Sequence, residues 1–393
     1  MDAYRNPKPE YWIVKMAYSP IGIGTRTVTP AAGSCAVALT NRYSFTDLKE
    51  LLCRWTAFNG ATVLKSGVSR IPCVPGGSVT AHFPAPADMT VLRLEFDRAD
   101  GVALTLARLD VAGAPAPMPP IAAAAGGPLG TRGDGTFTQV SNAPVQVAFD
   151  VQAGTIHSWR VWGRDILAGG LALNLGESRA GNVKGYYHAA QPPVLGGTLV
   201  TTDNRADGSA RFVVTAPVQA SAGGQTLGTL ACTYDILPTG DIVVHWTLNW
   251  TAPQTNLWEV GMKLAAPAAD THLNWLRDSF FSVYPAGHLG EPTGTAVAGS
   301  TLGRASKRGL HWMTLTDTSG TGLALLEDGS PLVGRAQTGD GATTLFASRE
   351  VAVSKEFSGT WVSDHDIVAA PGKPISGGFT LRAVVAGRAV MKQ

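Results

Sequence analysis

The chain has 393 residues, 45% of them hydrophobic and 15% charged, a balance that fills folded cores and excludes a disordered polypeptide. Its 31 basic and 29 acidic residues leave a net charge of +2 with no basic block or acidic tail, which excludes the electrostatic footprint of a nucleic-acid binder or an anionic-membrane binder. No stretch approaches 18 uninterrupted apolar residues, so no membrane-spanning helix is expected, and the N-terminus shows no apolar core of signal-peptide type; the compartment stays unknown.

Residues 1–20 read as an entry segment, with Tyr11, Val14 and Tyr18 spaced along one face of a helical turn. A first β unit is expected over 21–112. Within it TDLKELLCRW is two-valued: Leu48, Leu51, Leu52 and Trp55 fit a helix, while Leu51, Cys53 and Trp55 fit an alternating strand. The following Asn59-Gly60, a strong hairpin signal between apolar runs, favours the strand. About a hundred residues of such strands is the size of an immunoglobulin-like sandwich. Residues 113–137, rich in Pro, Ala and Gly, read as a linker.

From 138 to 393 the β pattern resumes at larger scale. DIVVHWTLNW sets Ile242, Val244, Trp246, Leu248 and Trp250 on one face and Val243, His245, Thr247 and Asn249 on the other. Pro238 to Asp241 joins it to TLACTYDI as a hairpin, Asp207-Gly208 marks another, and Asp317 to Gly322 separates HWMTL from LALLE. With 46 Gly and 25 Pro punctuating the chain and no convincing long helix, a large two-sheet sandwich is expected. Trp246, Trp250, Trp258 and Trp312, on alternating strands, are expected in its core. Cys35, Cys53, Cys73 and Cys232 lack metal or redox spacing and read as buried thiols, a Cys35–Cys53 bridge being the alternative.

In series, these segments resemble the post-barrel, C-terminal half of a glycoside hydrolase family 2 enzyme of the β-galactosidase type, in a divergent branch. PKPEYWIVKMAYSP looks like the seam after the catalytic barrel. Thr40-Asn41-Arg42, Phe45, Leu48 and Arg54-Trp55 resemble the following immunoglobulin-like domain, and AGTIHSWRVWGRDILAGGLALNL, LWEVGMKLAAP and GLHWMTLTDTSGTGLALLEDG resemble segments of the large domain. The stretch WLRDSFFSVYPAGHLGEPTGTA keeps Trp275 and Tyr284 at the family's spacing. Arg277, Ser279 and Phe280 replace its Gly-x-Gly-Pro turn, and Ser282 replaces its Glu.

The resemblance implies an all-β chain, an immunoglobulin-like sandwich followed by a large galactose-mutarotase-like β-supersandwich. It implies a non-catalytic region that braces a catalytic barrel, in cis or as a partner subunit, and shapes one wall of a sugar cleft. It implies no cofactor and no metal, carbohydrate as ligand, and a possible homo-oligomer of the parent enzyme. Retaining glycoside hydrolysis needs two carboxylates about 5 Å apart; the family's pair lies on the barrel, so no catalytic residue is expected here and the chain alone should be inactive. Carbohydrate contacts are expected from Trp275, Arg277, Asp278, Tyr284 and His288, and from Trp361, Asp364 and His365 in GTWVSDHDIVAA, since indole and phenol faces stack on sugar rings while charged and imidazole groups bond hydroxyls. Two alternatives stay open: a stand-alone carbohydrate-binding or split-enzyme subunit, and a sugar epimerase or polysaccharide lyase on the same sandwich. An epimerase would bring His288 or His365 against Glu291 or Glu356.

Overall fold

A computed structural model describes residues 14–15, 17–59, 62–113, 126–176, 193–277, 293–339, 341–351, 353–357, 360–365 and 367–385, with the backbone alone at 62, 301, 353–357 and 360–365. The chain forms two compact units, one within residues 1–118 and a larger one within 119–277 and 295–393. The class is all-β, as the strand periodicities predict.

Residues 14, 15 and 17 are helical, and the Tyr18 amide donates to the Val14 carbonyl at 3.0 Å. Val14 and Tyr18 are both exposed, and Tyr11 lies outside the described residues. Beyond them lies an immunoglobulin-like sandwich. One sheet runs Ile21–Ile23, Ser34–Asn41, Ser78–Pro84; the other runs Thr27–Val28, Ala103–Val111, Val91–Asp97, Leu52–Asn59, Thr62–Ser69. The ambiguous TDLKELLCRW divides its labour: Asp47 and Glu50 close a capping box around a single 3-10 turn, Leu48–Glu50, and the strand Leu52–Asn59 follows at once. Cys53, Trp55 and Ala57 then alternate into the core. The hairpin holds in register, Asn59 opposite Thr62.

The cysteines are buried and free, so the Cys35–Cys53 bridge is not formed. Burial pushes the Cys53 and Cys232 thiols up to about 12, which makes them packing groups rather than nucleophiles.

In the larger unit a ten-stranded antiparallel sheet takes the order Val194–Leu195, Ala210–Gln219, Thr226–Ile236, Ile242–Trp250, Ile375–Val384, Gly322–Leu326, Leu310–Thr316, His272–Arg277, Thr293–Val297, with Leu199–Asn204 also on Ala210–Gln219. Two smaller sheets share a core with it. One has five strands from Gly130–Gly133 to Arg164–Asp165, and the other has the order Gly169–Asn174, Glu259–Pro267, Ala342–Val351, Val333–Gly339. Gly130–Gly133 falls within the stretch read as linker and pairs with Phe137–Ser141 as the edge of the five-stranded sheet. Phe149 of that sheet stacks on Phe212 of the large one at 4.1 Å, with Tyr234 edge-on at 5.2 Å. Ile242, Val244, Trp246, Leu248 and Trp250 are each no more than 2% exposed, as the alternation predicts, and each such side chain contributes roughly 1.5–3 kcal/mol.

Trp312 departs from expectation. The strand's parity sends Leu310, Met313 and Leu315 into the main core, and Trp312 lies partly buried on the opposite face with Ala324, Leu326 and Val384. The C-terminal strand Ile375–Val384 sits between Ile242–Trp250 and Gly322–Leu326, and it sets the geometry of that face.

Candidate functional site

Period-two alternation that buries Val244 and Trp246 turns His245 outward, where its side chain is 54% exposed. Register does the rest. His245 stands opposite Gly378, and Leu326 opposite Thr380, so Asp328, two residues past Leu326, arrives beside Gly378 from the other flank. A Cβ at Gly378 would lie 2.0 Å from Asp328 Oδ2 and 2.7 Å from His245 Cδ2. The missing side chain is therefore the gap through which carboxylate and imidazole meet, with His245 Nε2 3.0 Å from Asp328 Oδ2. Asp328 Oδ1 is fixed by the Ser330 amide at 2.9 Å. Oδ2 is buried and makes no aligned hydrogen bond, so the imidazole is within ion-pair distance of it but off the bonding line.

Gly378→Ala should drive this pair apart and destabilise the large unit by roughly 1–3 kcal/mol, the usual cost of overpacking. Chemical denaturation reads the stability, and the His245 imidazole chemical shifts in NMR read the separation. Unchanged imidazole shifts would show that Gly378 does not create the contact.

A second imidazole–carboxylate pair adjoins the first in sequence. Leu276 and Arg277 pair with Trp312 and Leu310, so His311 is the extra residue of a bulge. Its Nδ1 lies 2.5 Å from Glu327 Oε1, and the Glu327 amide donates to the His311 carbonyl at 2.9 Å. Consecutive residues Glu327 and Asp328 thus each hold an imidazole, and Trp312 follows His311 on the outward face. On that same face Arg382 forks onto Asp241, at 2.9 Å from Nε and 2.6 Å from Nη2. Imidazoles oriented by carboxylates donate to and accept from hydroxyls and move protons near neutrality, and an indole offers an apolar plane beside them.

The sequence-predicted residues fall elsewhere. Trp275 is 3% exposed and faces the main core, because the parity that buries Leu273 buries it too; the expected sugar stacking is not available to it. Its ring carries the Lys307 ammonium at 4.6 Å. Lys307 is itself buried and donates to the carbonyls of Leu302, Gly303 and Ala305, and burial, reinforced by the Arg277 charge, lowers its pKa to about 8. Arg277, at the end of the same strand, is half-buried. Asp278, Tyr284, His288 and Glu291 lie outside the described residues. Trp361, Asp364 and His365 lie on the strand Thr360–His365, which pairs with Val353–Phe357, and their side chains, like that of Glu356, lie outside the description.

Sequence reasoning passed over His245, His311, Glu327 and Asp328 as a group. The available signal was an outward His on a strand whose other face is wholly apolar, together with Glu-Asp-Gly closing LALLE opposite the His of HWMTL.

One acidic pair bears on hydrolysis. Asp270 and Asp317 flank the Thr271–Thr316 backbone contact in two neighbouring turns. Asp270 is 5% exposed, its Oδ2 has no partner, and burial followed by repulsion from Asp317 raises it to about 7. Burial pushes Asp317 up as well, but hydrogen bonds from Ser319 and Thr321 and the Arg164 charge outweigh it and hold that carboxyl below its ordinary value. Asp317 Oδ1 is spent on closing its own turn, at 2.8 Å from the Ser319 amide and 2.9 Å from that of Thr321. Among the described residues no group of three or more His, Cys, Asp or Glu side chains is placed to hold a metal ion.

No family model and no curated protein sequence matches this chain. Solved structures align with part of this chain. A galactose mutarotase related enzyme from Lactobacillus acidophilus is 10% identical over 65% of this chain and 100% of its own, with a TM-score of 0.40. A putative aldose 1-epimerase from Escherichia coli is 10% identical over 65% of this chain and 98% of its own, at 0.37. A glycoside hydrolase family 97 enzyme from a Pseudoalteromonas species is 13% identical over 66% of this chain and 36% of its own, at 0.34.

Proposed function

We propose that this chain is a carbohydrate-contacting, non-hydrolytic β region of a glycoside-processing enzyme, in the manner of the post-barrel half of the family 2 glycoside hydrolases its sequence resembles. In this reading it works with a catalytic barrel, carried in cis or by a partner subunit, and the outward face of its ten-stranded sheet meets saccharide. The observation that supports the reading is that the consecutive residues Glu327 and Asp328 each stand against an imidazole, His311 and His245, while Trp312, next to His311 in sequence, lies partly buried with Ala324, Leu326 and Val384. Hydrogen-bonding groups and an apolar plane are the composition a sugar ring requires.

Glu327 of this group is hydrogen-bonded to His311, Asp328 is held by the Ser330 amide within ion-pair distance of His245, and Asp317 of the other acidic pair is committed to its turn. Hydrolysis with retention needs instead one free nucleophilic carboxylate and one proton-bearing partner across the glycosidic bond. The purified chain should therefore give no release of nitrophenol from aryl β-galactosides or aryl β-glucosides, and activity should emerge when a barrel fragment is added. Robust turnover by the chain alone overturns the reading.

The 2.5 Å contact of His311 with Glu327 favours one second reading, a sugar epimerase in which this pair relays protons to a ring oxygen or anomeric hydroxyl. Polarimetry separates the two. An epimerase speeds mutarotation of freshly dissolved α-galactose and loses that acceleration in His311→Ala, whereas a binding region leaves the uncatalysed rate unchanged.

A further inference from the structure

The outward face of the ten-stranded sheet stays polar beyond His245. Period two places His245, Thr247 and Asn249 on that face of Ile242–Trp250, while Val244, Trp246 and Leu248 between them are buried. Register sets the neighbours. Thr233 and Thr229 of the preceding strand stand opposite His245 and Asn249, and Gly378 and Ser376 of the C-terminal strand stand opposite His245 and Thr247. Two steps of about 6.8 Å separate His245 from Asn249, so these rows form a lane roughly 14 Å long. Asn249 and Ser376 are exposed, and Thr229, Thr233 and Thr247 are half-buried. The Thr247 and Ser376 hydroxyls share one hydrogen bond at 2.9 Å, and among the described residues the Thr229, Thr233 and Asn249 side chains hold none. At the head of the lane Asp328, whose side chain is 10% exposed, brings Oδ2 to the gap at Gly378 without an aligned donor. A buried acceptor left open is costly, and a hydroxyl arriving at this face from solvent would satisfy it.

The lining sets the ligand's chemistry. Hydroxyls, an amide and an imidazole exchange hydrogen bonds with a polyol in both directions. Among the described residues no ammonium or guanidinium stands in these rows, and the arginines on the same face are closed onto carboxylates, Arg211 onto Asp235 and Arg382 onto Asp241. An acidic sugar therefore finds no counter-ion here and is repelled by Asp328, so an uncharged one is favoured. The lane is longer than one pyranose ring, and its polar groups recur at a regular step that a chain of linked rings can follow and a single ring cannot. We infer that, on the reading of this face given above, its ligand is an uncharged oligosaccharide rather than a single sugar, with one ring at His245 and Asp328 and the following rings over Thr247, Ser376 and Asn249.

Calorimetric titration of the full chain with methyl β-glucoside and cellotetraose, and with methyl β-galactoside and β-linked galactotetraose, tests the lane. In at least one series the tetrasaccharide should bind about tenfold or more tightly than the methyl glycoside. Asn249→Ala combined with Ser376→Ala should remove that gain, and Gln146→Ala, an exposed position on the five-stranded sheet, should leave it unchanged. Asn249 and Ser376 are exposed, so the double variant keeps the core beneath them; were it to fail to fold, either single variant should still lose part of the gain. Equal binding of methyl glycoside and tetrasaccharide would overturn the lane and leave the face a single-sugar site. Binding of neither at millimolar concentration would overturn the lane together with the reading it rests on. A gain that survives the double variant would place the added rings elsewhere and overturn the assignment.

Discussion

Glu259→Ala should destabilise the large unit by about 3–5 kcal/mol, the cost of leaving one partner of a buried ion pair behind. The carboxylate is 2% exposed, and it holds both the Arg335 guanidinium and the Ser348 hydroxyl. Removing it strands a cation whose side chain is only 17% exposed, next to a fully buried hydroxyl. Attraction and desolvation nearly cancel in the intact pair, so a double variant that removes both charges, Glu259→Gln with Arg335→Met, should recover most of the loss. Urea denaturation of the wild type, each single variant and the double variant gives the coupling directly. A Glu259→Ala loss below about 1 kcal/mol would mean that water reaches Arg335 and that the network is a surface feature.

Asp270→Asn should remove a pH dependence of stability that the wild type shows between about pH 4 and 7. In the folded chain burial and then Asp317 raise this carboxyl from its ordinary 3.8 to about 7, while in the unfolded chain it returns to the ordinary value. Between those two values the folded state holds a proton that the unfolded state has released, so stability falls as pH rises. The contribution is complete below pH 4 and lost once pH passes about 7. At 1.36 kcal/mol per pH unit the interval caps the effect at about 4 kcal/mol, and partial hydration of so tight a turn brings it nearer ~2 kcal/mol. Asp317 works in the opposite sense, since its lowered pKa favours folding only at pH values where it is ionised, so the wild-type profile is the sum of the two. Thermal unfolding from pH 4 to 8 should show the wild type losing stability across that window relative to Asp270→Asn. Parallel profiles for the two proteins would rule out a proton held at Asp270.

The fold class was legible because period two is a local signal. The five alternate side chains from Ile242 to Trp250 are all buried, and Asn59 pairs with Thr62 on the two strands that the Asn-Gly signal joins. TDLKELLCRW was ambiguous because it holds two elements, a capped 3-10 turn and a strand, within ten residues. Trp312 and Trp275 show the limit of local pattern. Both sit on strands of one sheet with apolar neighbours, yet one faces outward and the other the core, and which is which follows from strand register and a bulge at His311.

The candidate site was less legible, for a reason of topology. His245 meets Asp328 through the space above Gly378, and the three positions come from strands far apart in sequence that become neighbours only when the C-terminal strand inserts between the other two. Neither composition nor spacing encodes that insertion. In the sequence Glu327 and Asp328 only end an apolar run, and His245 stands on the face of its strand opposite Val244 and Trp246. Only their pairing turns them into oriented hydrogen-bonding groups.

The most direct test of a carbohydrate-contacting sheet face is a titration of the full chain with methyl β-galactoside and methyl β-glucoside, followed by the imidazole nitrogen signals of His245 and His311. The account predicts that at least one of the two glycosides shifts both signals along a saturable curve, and that the shifts vanish in Trp312→Ala while the fold persists. Imidazole signals that stay fixed through molar excess of either sugar would contradict it.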